Sequence, residues 1–379
     1  MINPPINVAI LDFRNVVAKG SDEVLERHER YALALKKLSK NSDSNLIILS
    51  TSTQDCGNIT SSRILKFKSL NTQKWNLLLY SFKSASHLRK TNATFCVLVA
   101  GDPWESSVAA ILTKMILRGK NPIQIQIHAD IGDQNWVRIS KLNSIRKILA
   151  TITLRRASTI RTTTRTQEQN LIKAFGVSPE KLRLVPVQLN LPNLLTLTSD
   201  RCNLESIGIV GRIHKDRGLE KALQILGAIS KKYPEVSVLV AGEGPDRDWF
   251  KEELGKIVDQ KKVNFFGSLE GEELESFWGK CGILISAAPA ESYGRAIREA
   301  VVRGVPVLAT TSAGSLELKA QSGQSGVVLI DDCDNPSRII QKYEMAKSSL
   351  VDEGLISRIL AENAQVPSSL AKSWISLQQ

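Results

Sequence analysis

The sequence has little of what disulfide-bonded and metal-binding proteins need. Its five cysteines are scattered and form no Cys-x-x-Cys pair, and its four histidines share no metal-ligand spacing. We therefore expect reduced, mostly buried thiols, as in a cytoplasmic protein, and no metal site.

Long hydrophobic runs are also missing. No apolar run approaches the ~20 residues that a bilayer-spanning helix needs. Residues 1–10 lack the charged region, apolar core and cleavage site of a secretory signal. Apolar residues make up 42% of the chain and charged residues 23%, which is ordinary for a globular protein, and a length of 379 residues suggests two domains.

Several familiar catalytic motifs are absent. The sequence has no GxxxxGK[ST] phosphate loop, no GxSxG nucleophile elbow and no Cys/His constellation. Its nearest approach to GxGxxG, at residues 242–245, lacks the third glycine and contains a proline, which disfavours an NAD-dependent enzyme. No carboxylate pair stands out as typical of two-carboxylate glycosidases.

Acidic residues are scarce in the first half of the chain. Residues 1–190 contain 28 lysines and arginines against 13 acidic residues, a net charge of +15, whereas the rest of the chain has a net charge of −3. An anionic membrane surface, an anionic substrate or a nucleic acid would each suit this charge. Only five tyrosines and no stripe of interleaved aromatic and basic residues weaken the nucleic-acid interpretation.

Short apolar runs alternate with helical patterns along both halves of the chain. This order predicts parallel βαβ units and, overall, two doubly wound α/β domains. We assign residues 1–190 to the first domain, 191–202 to a linker and 203–364 to the second domain. A helix at about 365–379 is predicted to pack back on the first domain, and residues 77–81 are predicted to form a strand.

The most basic helical pattern covers residues 137–156. Its apolar positions share one face and are Ile139, Leu142, Ile145, Leu149 and Ile152. Basic residues lie at the rim or the end of that face: Lys141, Arg146, Lys147, Arg155 and Arg156. We expect the apolar face to pack into the core and the basic side to face water. The alternative is contact with anionic lipid headgroups or a phosphorylated acceptor.

Several polar residues of the first half lie at or just after the ends of predicted strands. They are Lys19, Gly20, Ser21, Asp102, His128 and Asp130. Because the carboxyl ends of parallel strands meet at one edge of a sheet, we expect these residues to share a cleft.

The most informative stretch is residues 287–300, which follows a buried-strand pattern. Glu291 and Glu299 are eight positions apart, with Gly294 between them. If Glu291 lies in the loop and Glu299 in the following helix, both carboxylates face one cleft above the strand end. The backbone N–H groups of residues 293–295 then lie at a helix N-terminus, where an anion is stabilised.

A second anion site is predicted upstream, in the loop GRIHKDRG at residues 211–218. Arg212 and Arg217 add fixed positive charge to the N–H groups of the next helix. This combination suits a diphosphate, and guanidinium groups can stabilise a departing nucleoside diphosphate without a metal ion.

These motifs, taken in order, resemble the donor half of retaining glycosyltransferases of family 4, which have the GT-B architecture. The resemblance is strongest over residues 206–330 and rests on Gly211-Arg212, Arg217-Gly218, residues 242–245, Phe266-Gly267 and residues 291–299. It implies an α/β fold with two Rossmann-like doubly wound domains that face each other across a cleft.

The resemblance also implies roles for individual residues. Glu291 matches the glutamate that holds hydroxyls of the donor sugar, and Glu299 matches the one that binds the nucleotide ribose. Arg212 and Arg217 match the cations that grip the diphosphate, and His128 matches a histidine that reaches the transferred sugar. The other donor-side positions are Gly20, Gly242, Gly244, Ser292, Tyr293, Gly294 and Arg295, and the acceptor or cleft positions are Lys19, Ser21, Asp102 and Asp130.

Two positions depart from the family pattern. Arg217 stands where lysine is usual, which keeps the charge and changes its geometry. Gly20 stands alone where two adjacent glycines are common, which concerns the acceptor side rather than the donor side.

From the resemblance we expect a metal-independent, retaining glycosyltransferase that moves a hexose from a UDP- or GDP-sugar to a hydroxyl of a glycan or lipid-linked acceptor. No cofactor is expected to be bound permanently. The expected location is cytoplasmic, with contact to an anionic membrane surface through the basic first half. The alternatives are a GT-B sugar-nucleotide epimerase, a basic nucleic-acid-binding protein and a non-catalytic donor-binding protein.

Overall fold

Parallel strands occupy the centre of each half of the chain. The computed structural model describes residues 4–18, 22–51, 65–73, 75–93, 95–189, 191, 205–323, 325–331, 333 and 335–378. The chain separates into unit 1, which comprises Met1–Gln188 and Ala364–Gln379, and unit 2, which comprises Leu189–Asn363.

The described strands of unit 1 are β1 (Asn7–Asp12), β2 (Asn45–Ser50), β3 (Leu65–Ser69), β4 (Val97–Ala100), β5 (Ile123–Gln126), β6 (Thr159–Thr162) and β7 (Leu182–Leu184). They form one parallel sheet in the order β3-β2-β1-β4-β5-β6-β7. The central strands are buried along nearly their whole length, as expected when helices cover both faces of a parallel sheet. The winding direction reverses between β1 and β4, which leaves a crevice at their carboxyl ends.

The helices between these strands are α1 (Asp22–Ser39), α2 (Leu77–Lys90), α3 (Glu105–Leu117), α4 (Gln134–Ile139), α5 (Lys141–Arg156) and α6 (Arg165–Phe175). One side of the core also contains the end of the last helix of the chain. Val366, Leu370 and Trp374 of that helix pack with Tyr31 and Leu35 of α1.

Residues 77–81 begin α2, so the prediction of a strand there is wrong. The Asn76 side chain accepts a hydrogen bond from the Leu79 N–H at 3.0 Å and caps the helix. Tyr80, Ala85 and Leu88 are then buried at helical spacing. A short leucine run fits either structure, and here the cap and the longer pattern behind it decide in favour of the helix.

The basic segment at residues 137–156 differs from the expectation in two ways. Ser140 is extended and caps α5, so α4 and α5 are separate helices. The apolar face of α5 is turned outward: Ile145 and Ile152 are exposed, while Asn143 and Thr153 are buried. The expectation that this face packs into the core is therefore wrong.

The described strands of unit 2 are β8 (Ser206–Val210), β9 (Ser237–Ala241), β10 (Val263–Gly267), β11 (Ile283–Ser286), β12 (Val307–Thr310) and β13 (Val327–Ile330). They form a second parallel sheet in the order β10-β9-β8-β11-β12-β13. The winding direction reverses between β8 and β11, so the loops after these two strands diverge around a crevice.

The helices of unit 2 are α7 (Leu219–Lys232), α8 (Arg247–Gly255), α9 (Gly271–Lys280), α10 (Arg295–Val302), α11 (Ala313–Ser322) and α12 (Pro336–Lys347), followed by α13 (Glu353–Ile375), which ends in unit 1. Two doubly wound parallel sheets confirm the predicted α/β fold class. None of the helices in the described ranges combines the length and hydropathy needed to span a bilayer.

Candidate functional site

The crevice between β8 and β11 brings together most of the residues predicted to bind a donor. The loop after β8 carries Arg212 and Arg217, and the loop after β11 carries Glu291. A concavity at this edge is lined by both loops, including Gly211, Arg217 and Ala287. The anion site and the carboxylate, predicted from separate stretches of sequence, therefore lie together.

Two loops pack against each other at this edge through their backbones. The Ile213 N–H donates to the Glu243 carbonyl oxygen at 2.9 Å. A Cβ atom on Gly242 would lie 1.9 Å from the Gly211 carbonyl oxygen, and one on Gly244 would lie 2.0 Å from that of Ile213. Only glycine permits this approach. The loop with Gly242 and Gly244 thus lies directly against the loop with the two arginines.

Arg217 and Glu291 form an ion pair across the crevice. The Arg217 guanidinium donates to Glu291 Oε2, and Glu291 Oε1 accepts from the Gly294 N–H at 3.1 Å. Burial raises the pKa of the Glu291 carboxyl, but the Arg217 charge and hydrogen bond and the N–H groups of Gly294 and Tyr293 outweigh it and leave the pKa lowered. The carboxylate is therefore ionised at neutral pH.

As the sequence predicted, Glu299 lies within α10, whereas Glu291 lies in the preceding loop. Glu299 is 7% exposed. Its Oε1 atom is 3.4 Å from a guanidinium nitrogen of Arg295, the first residue of α10. Ser292 and Tyr293 are buried between the two glutamates, and Gly294 takes a positive φ of 76° just before the helix. The N-terminus of α10 therefore follows Glu291 closely in the chain, and the helix dipole favours negative charge at this end.

Arg298 is a site residue that the sequence reasoning missed. Its side chain is 1% exposed, and its guanidinium lies 4.0 Å from the centre of the Tyr293 ring. One guanidinium nitrogen donates to the Tyr293 carbonyl oxygen and, at 3.4 Å, to that of Gly314. Desolvation lowers the pKa of Arg298, although the nearby tyrosine and glutamates act to raise it. The only sequence signal was an arginine among the buried positions of α10.

A glycine in α11 completes the support of the loop after β11. A Cβ atom on Gly314 would lie 2.5 Å from the Tyr293 carbonyl carbon. The Gly314 N–H also donates to the Glu291 carbonyl oxygen at 2.9 Å. Arg298 and Gly314 thus hold the backbone of residues 291–294 from both sides.

Asp102 in unit 1 has a structural role in the crevice after β4. Its Oδ1 atom accepts from the N–H groups of Trp104 at 2.9 Å and Ser106 at 3.1 Å, and Oδ2 accepts from the Ser106 hydroxyl at 2.6 Å. Desolvation raises the pKa of Asp102 despite these hydrogen bonds. Through these three hydrogen bonds the carboxyl group anchors the start of α3.

His128 and Asp130 follow β5. His128 is exposed to solvent, yet desolvation by surrounding protein atoms and the charges of Arg161 and Arg27 lower the pKa of its imidazole. Asp130 is buried and accepts from the Asn170 amide at 2.7 Å, and desolvation raises its pKa to about 6. The remaining positions predicted for this unit, Lys19, Gly20 and Ser21, lie outside the described residues.

Arg161 on β6 is a second residue that the sequence did not single out. It is buried and donates to the carbonyl oxygens of Val185 at 3.0 Å and Pro186 at 2.6 Å, and to the Gln126 side chain at 3.1 Å. Its charge contributes to the lowered pKa of both His28 and His128. It therefore helps to keep His128 neutral.

Comparison with known structures identifies the class of fold. The structure matches sucrose-phosphate synthase from Thermosynechococcus elongatus with a TM-score of 0.72 and 16% identity over 98% of both chains. It matches Anabaena HepE in complex with UDP-glucose with a TM-score of 0.67 and 16% identity, over 97% of this chain and 100% of that one. Both matches cover nearly the full length, and the chain has the GT-B fold.

The sequence of unit 2 is similar to those of known glycosyltransferases. Residues 203–346 match the model of the glycosyl transferases group 1 family. The chain is 30% identical to sulfoquinovosyl transferase SQD2 of Arabidopsis thaliana over 130 residues, which cover 33% of this chain and 24% of that protein. The aligned regions span about a quarter of the length of the curated relatives. The match to the family model lies within unit 2 and agrees with the resemblance stated above.

Proposed function

We propose that the chain is a retaining, metal-independent glycosyltransferase that moves a hexose from a UDP- or GDP-sugar to a hydroxyl of a glycan or lipid-linked acceptor. In this proposal, residues 203–364 form the donor domain and residues 1–190 the acceptor domain. The main support is the meeting of Arg217 and Glu291 at the β8/β11 crevice, inside the region that matches a glycosyltransferase family. The UDP-glucose complex of HepE supports a nucleotide-sugar donor.

The diphosphate lies, in this proposal, between the loop after β8 and the start of α10. Arg212 is exposed on that loop, and Arg217 reaches the crevice. Two guanidinium groups and the N-terminal N–H groups of α10 together offset the charge that develops on the departing nucleoside diphosphate. This charge compensation takes the place of a metal ion, so we expect transfer to continue in the presence of EDTA.

Glu291 acts as a hydrogen-bond acceptor for hydroxyls of the donor sugar, and Glu299 binds the ribose. The lowered pKa of Glu291 leaves it without a proton to donate at neutral pH, which argues against a general-acid role. Glu299 lies about one helical turn into α10 and is largely buried, which suits a fixed contact with a ribose hydroxyl.

The acceptor side is assigned through the resemblance. His128 contacts the transferred sugar, and its lowered pKa keeps the imidazole neutral, so that it can exchange hydrogen bonds with sugar hydroxyls. Lys19, Gly20 and Ser21 match the family's loop near donor and acceptor. Asp130 is an acceptor-side residue whose carboxyl titrates near neutrality, with a pKa of about 6.

A cytoplasmic location is part of the proposal. It is supported by Cys96, Cys281 and Cys333, which are buried and are not joined in disulfides among the described residues. For a lipid-linked acceptor, we also expect the protein to contact the inner face of a membrane peripherally.

A panel of UDP- and GDP-sugars tests the proposal. We expect one donor to raise the melting temperature of the protein, and we expect Arg217→Ala and Glu291→Gln to reduce that shift. Arg338→Ala, at an exposed position of α12, is the control and should leave the shift unchanged. A panel without any shift contradicts the proposal.

Nucleotide release distinguishes transfer from the alternatives. Release that depends on an added glycan or lipid-linked acceptor supports transfer. Release at the same rate without an acceptor indicates an epimerase or a hydrolase, and donor binding without release indicates a non-catalytic protein. The anomeric configuration of the product, read by NMR, tests retention.

A further inference from the structure

The outer surface of α5 carries a row of large aliphatic side chains. These are Leu142 (49% exposed), Ile145 (64%), Ile148 (67%) and Ile152 (48%), which we call the isoleucine ridge. At ~100° per residue, all four fall within about one third of the helix circumference. The ridge points away from the core, since Asn143, Ala150, Thr153 and Leu154 are the buried residues of this helix.

This orientation of α5 is held by buried polar contacts. The Asn143 amide donates to the Trp136 carbonyl oxygen at 2.8 Å, and the Thr153 hydroxyl donates to the Pro103 carbonyl oxygen at 2.5 Å. Rotating α5 to bury the isoleucines would break both hydrogen bonds and leave the carbonyl oxygens of Trp136 and Pro103 without these donors. The outward position of the ridge is therefore a property of the folded unit.

The charges around the ridge have one sign. Gln134–Arg156, which covers α4 and α5, has no acidic residue and six basic ones: Arg138, Lys141, Arg146, Lys147, Arg155 and Arg156. Lys141 is exposed at one end of the ridge, and Arg155 and Arg156 are exposed at the other. The aliphatic side chains thus lie between exposed cations.

The neighbouring helices extend the same surface. The connections β3 to β4, β4 to β5 and β5 to β6 all step in one direction across the sheet, so right-handed crossovers place α2, α3 and α5 on one face. α2 packs against α3, and α3 contacts α5. Met115 of α3 and Leu78 and Phe82 of α2 are also exposed. The ridge therefore belongs to a helical layer with further exposed apolar side chains.

We propose that the isoleucine ridge docks unit 1 on an anionic lipid bilayer. The aliphatic side chains enter the boundary between headgroups and acyl chains, and Lys141, Arg155 and Arg156 contact the lipid phosphates. A second copy of the chain fits less well, because a symmetric contact would oppose two sets of cations without any acidic residue from this segment. Docking would bring the enzyme to a lipid-linked acceptor, and this purpose rests on the proposed function. The docking surface itself does not depend on that function.

Vesicle sedimentation with the full chain tests this inference. We expect binding to vesicles of phosphatidylcholine mixed with phosphatidylglycerol, and little binding to phosphatidylcholine alone. The double variant Ile145→Ser/Ile148→Ser should weaken binding by at least about tenfold, because each isoleucine loses its apolar burial. Arg155→Gln/Arg156→Gln should weaken it by about fivefold for each charge removed, and added salt should do the same.

Matched variants in unit 2 serve as controls. Leu350→Ser removes an aliphatic side chain that is 88% exposed, and Lys221→Gln/Lys251→Gln removes two exposed charges. Both should bind vesicles like the unaltered protein. Equal binding by the isoleucine double variant would overturn the proposal, as would the absence of vesicle binding.

Two parallel measurements separate the other outcomes. Self-association that is lost in Ile145→Ser/Ile148→Ser, without vesicle binding, would assign the ridge to a second copy and overturn the bilayer proposal. The thermal shift with nucleotide sugars should be unchanged in this variant. Vesicle binding without any donor-induced shift would contradict the proposed function and leave the docking surface intact.

Discussion

Arg217 and Glu291 form an ion pair between two loops that are 74 positions apart in the sequence. Each residue is predicted to touch a different part of the donor, Arg217 the diphosphate and Glu291 the sugar. Because the two residues are hydrogen-bonded to each other, the predicted diphosphate site and the predicted sugar site are adjacent. A diphosphate carries more negative charge than one carboxylate, so we expect donor binding to redirect the guanidinium towards the phosphates.

Arg217→Ala should reduce kcat/KM by about 10²–10³-fold, because a preorganised positive charge is lost where negative charge develops. Arg217→Lys should keep most of the activity, since lysine supplies the charge without the second donor nitrogen. Steady-state kinetics with the identified donor measure both variants. Full activity in Arg217→Ala would remove this residue from the diphosphate site.

The stability that Glu291 contributes should depend on pH. Burial raises the folded-state pKa of Glu291, but the charge and hydrogen bond of Arg217 and the backbone N–H groups outweigh burial and lower the pKa from 4.5. A carboxyl with a depressed pKa stabilises the fold above its unfolded-state pKa, and this contribution is lost as the pH falls through the folded-state value. The melting temperature of the unaltered protein should therefore exceed that of Glu291→Gln at pH 7 and approach it below pH ~4. A constant difference at all pH values would contradict this assignment.

Arg298 should act as a positioning residue for the loop with Glu291. Arg298→Met leaves the buried carbonyl oxygens of Tyr293 and Gly314 without this donor, at a cost of about 1–3 kcal/mol in unfolding free energy. We also expect the KM for the donor to rise more than kcat falls, because the loop loses its support while the contacting side chains remain.

A conservative variant separates positioning from stability at this site. Arg298→Lys should restore part of the donor affinity, since an ammonium group can still donate to a carbonyl oxygen. An Arg298→Met variant with lower stability and unchanged donor KM would leave Arg298 a purely structural role.

Asp130 should destabilise the fold at neutral pH. Burial raises its pKa from 3.8 to about 6, so between these values the folded state binds more protons than the unfolded state. Unfolding free energy is therefore lost as the pH rises from about 4 to 6, up to about 3 kcal/mol for a shift of roughly two pKa units. Asp130→Asn should stabilise the protein at pH 7 and have little effect near pH 4, as measured by urea unfolding. Destabilisation by Asp130→Asn at pH 7 would contradict this.

The sheet strands were predictable because parallel strands are buried on both faces and appear as continuous apolar runs. Val97–Ala100 and Ile283–Ser286 are of this kind, and both are strands. The same rule failed at Leu77–Lys90, where a leucine run begins a helix. Periodicity over a few residues does not distinguish the two structures, and the Asn76 cap was not recognised.

Helix α5 shows a different limit of sequence reasoning. The spacing of Leu142, Ile145 and Ile152 correctly placed them on one face of a helix. Which face points inward depends on what the neighbouring elements offer, here the carbonyl oxygens of Trp136 and Pro103 for Asn143 and Thr153. The assumption that apolar residues face the core was therefore wrong for this helix.

The sequence by itself determined the alternation of strands and helices, the loops at the carboxyl edge of each sheet and the residue types suited to a nucleotide sugar. Only the tertiary structure decided which of these residues meet. Arg217 reaches Glu291 because β8 and β11 are neighbours in the sheet, and Arg298 is buried because the loop after β11 folds over it. Periodicity and residue type describe local order, whereas the partner of a buried charge depends on strand order, which places residues distant in sequence side by side.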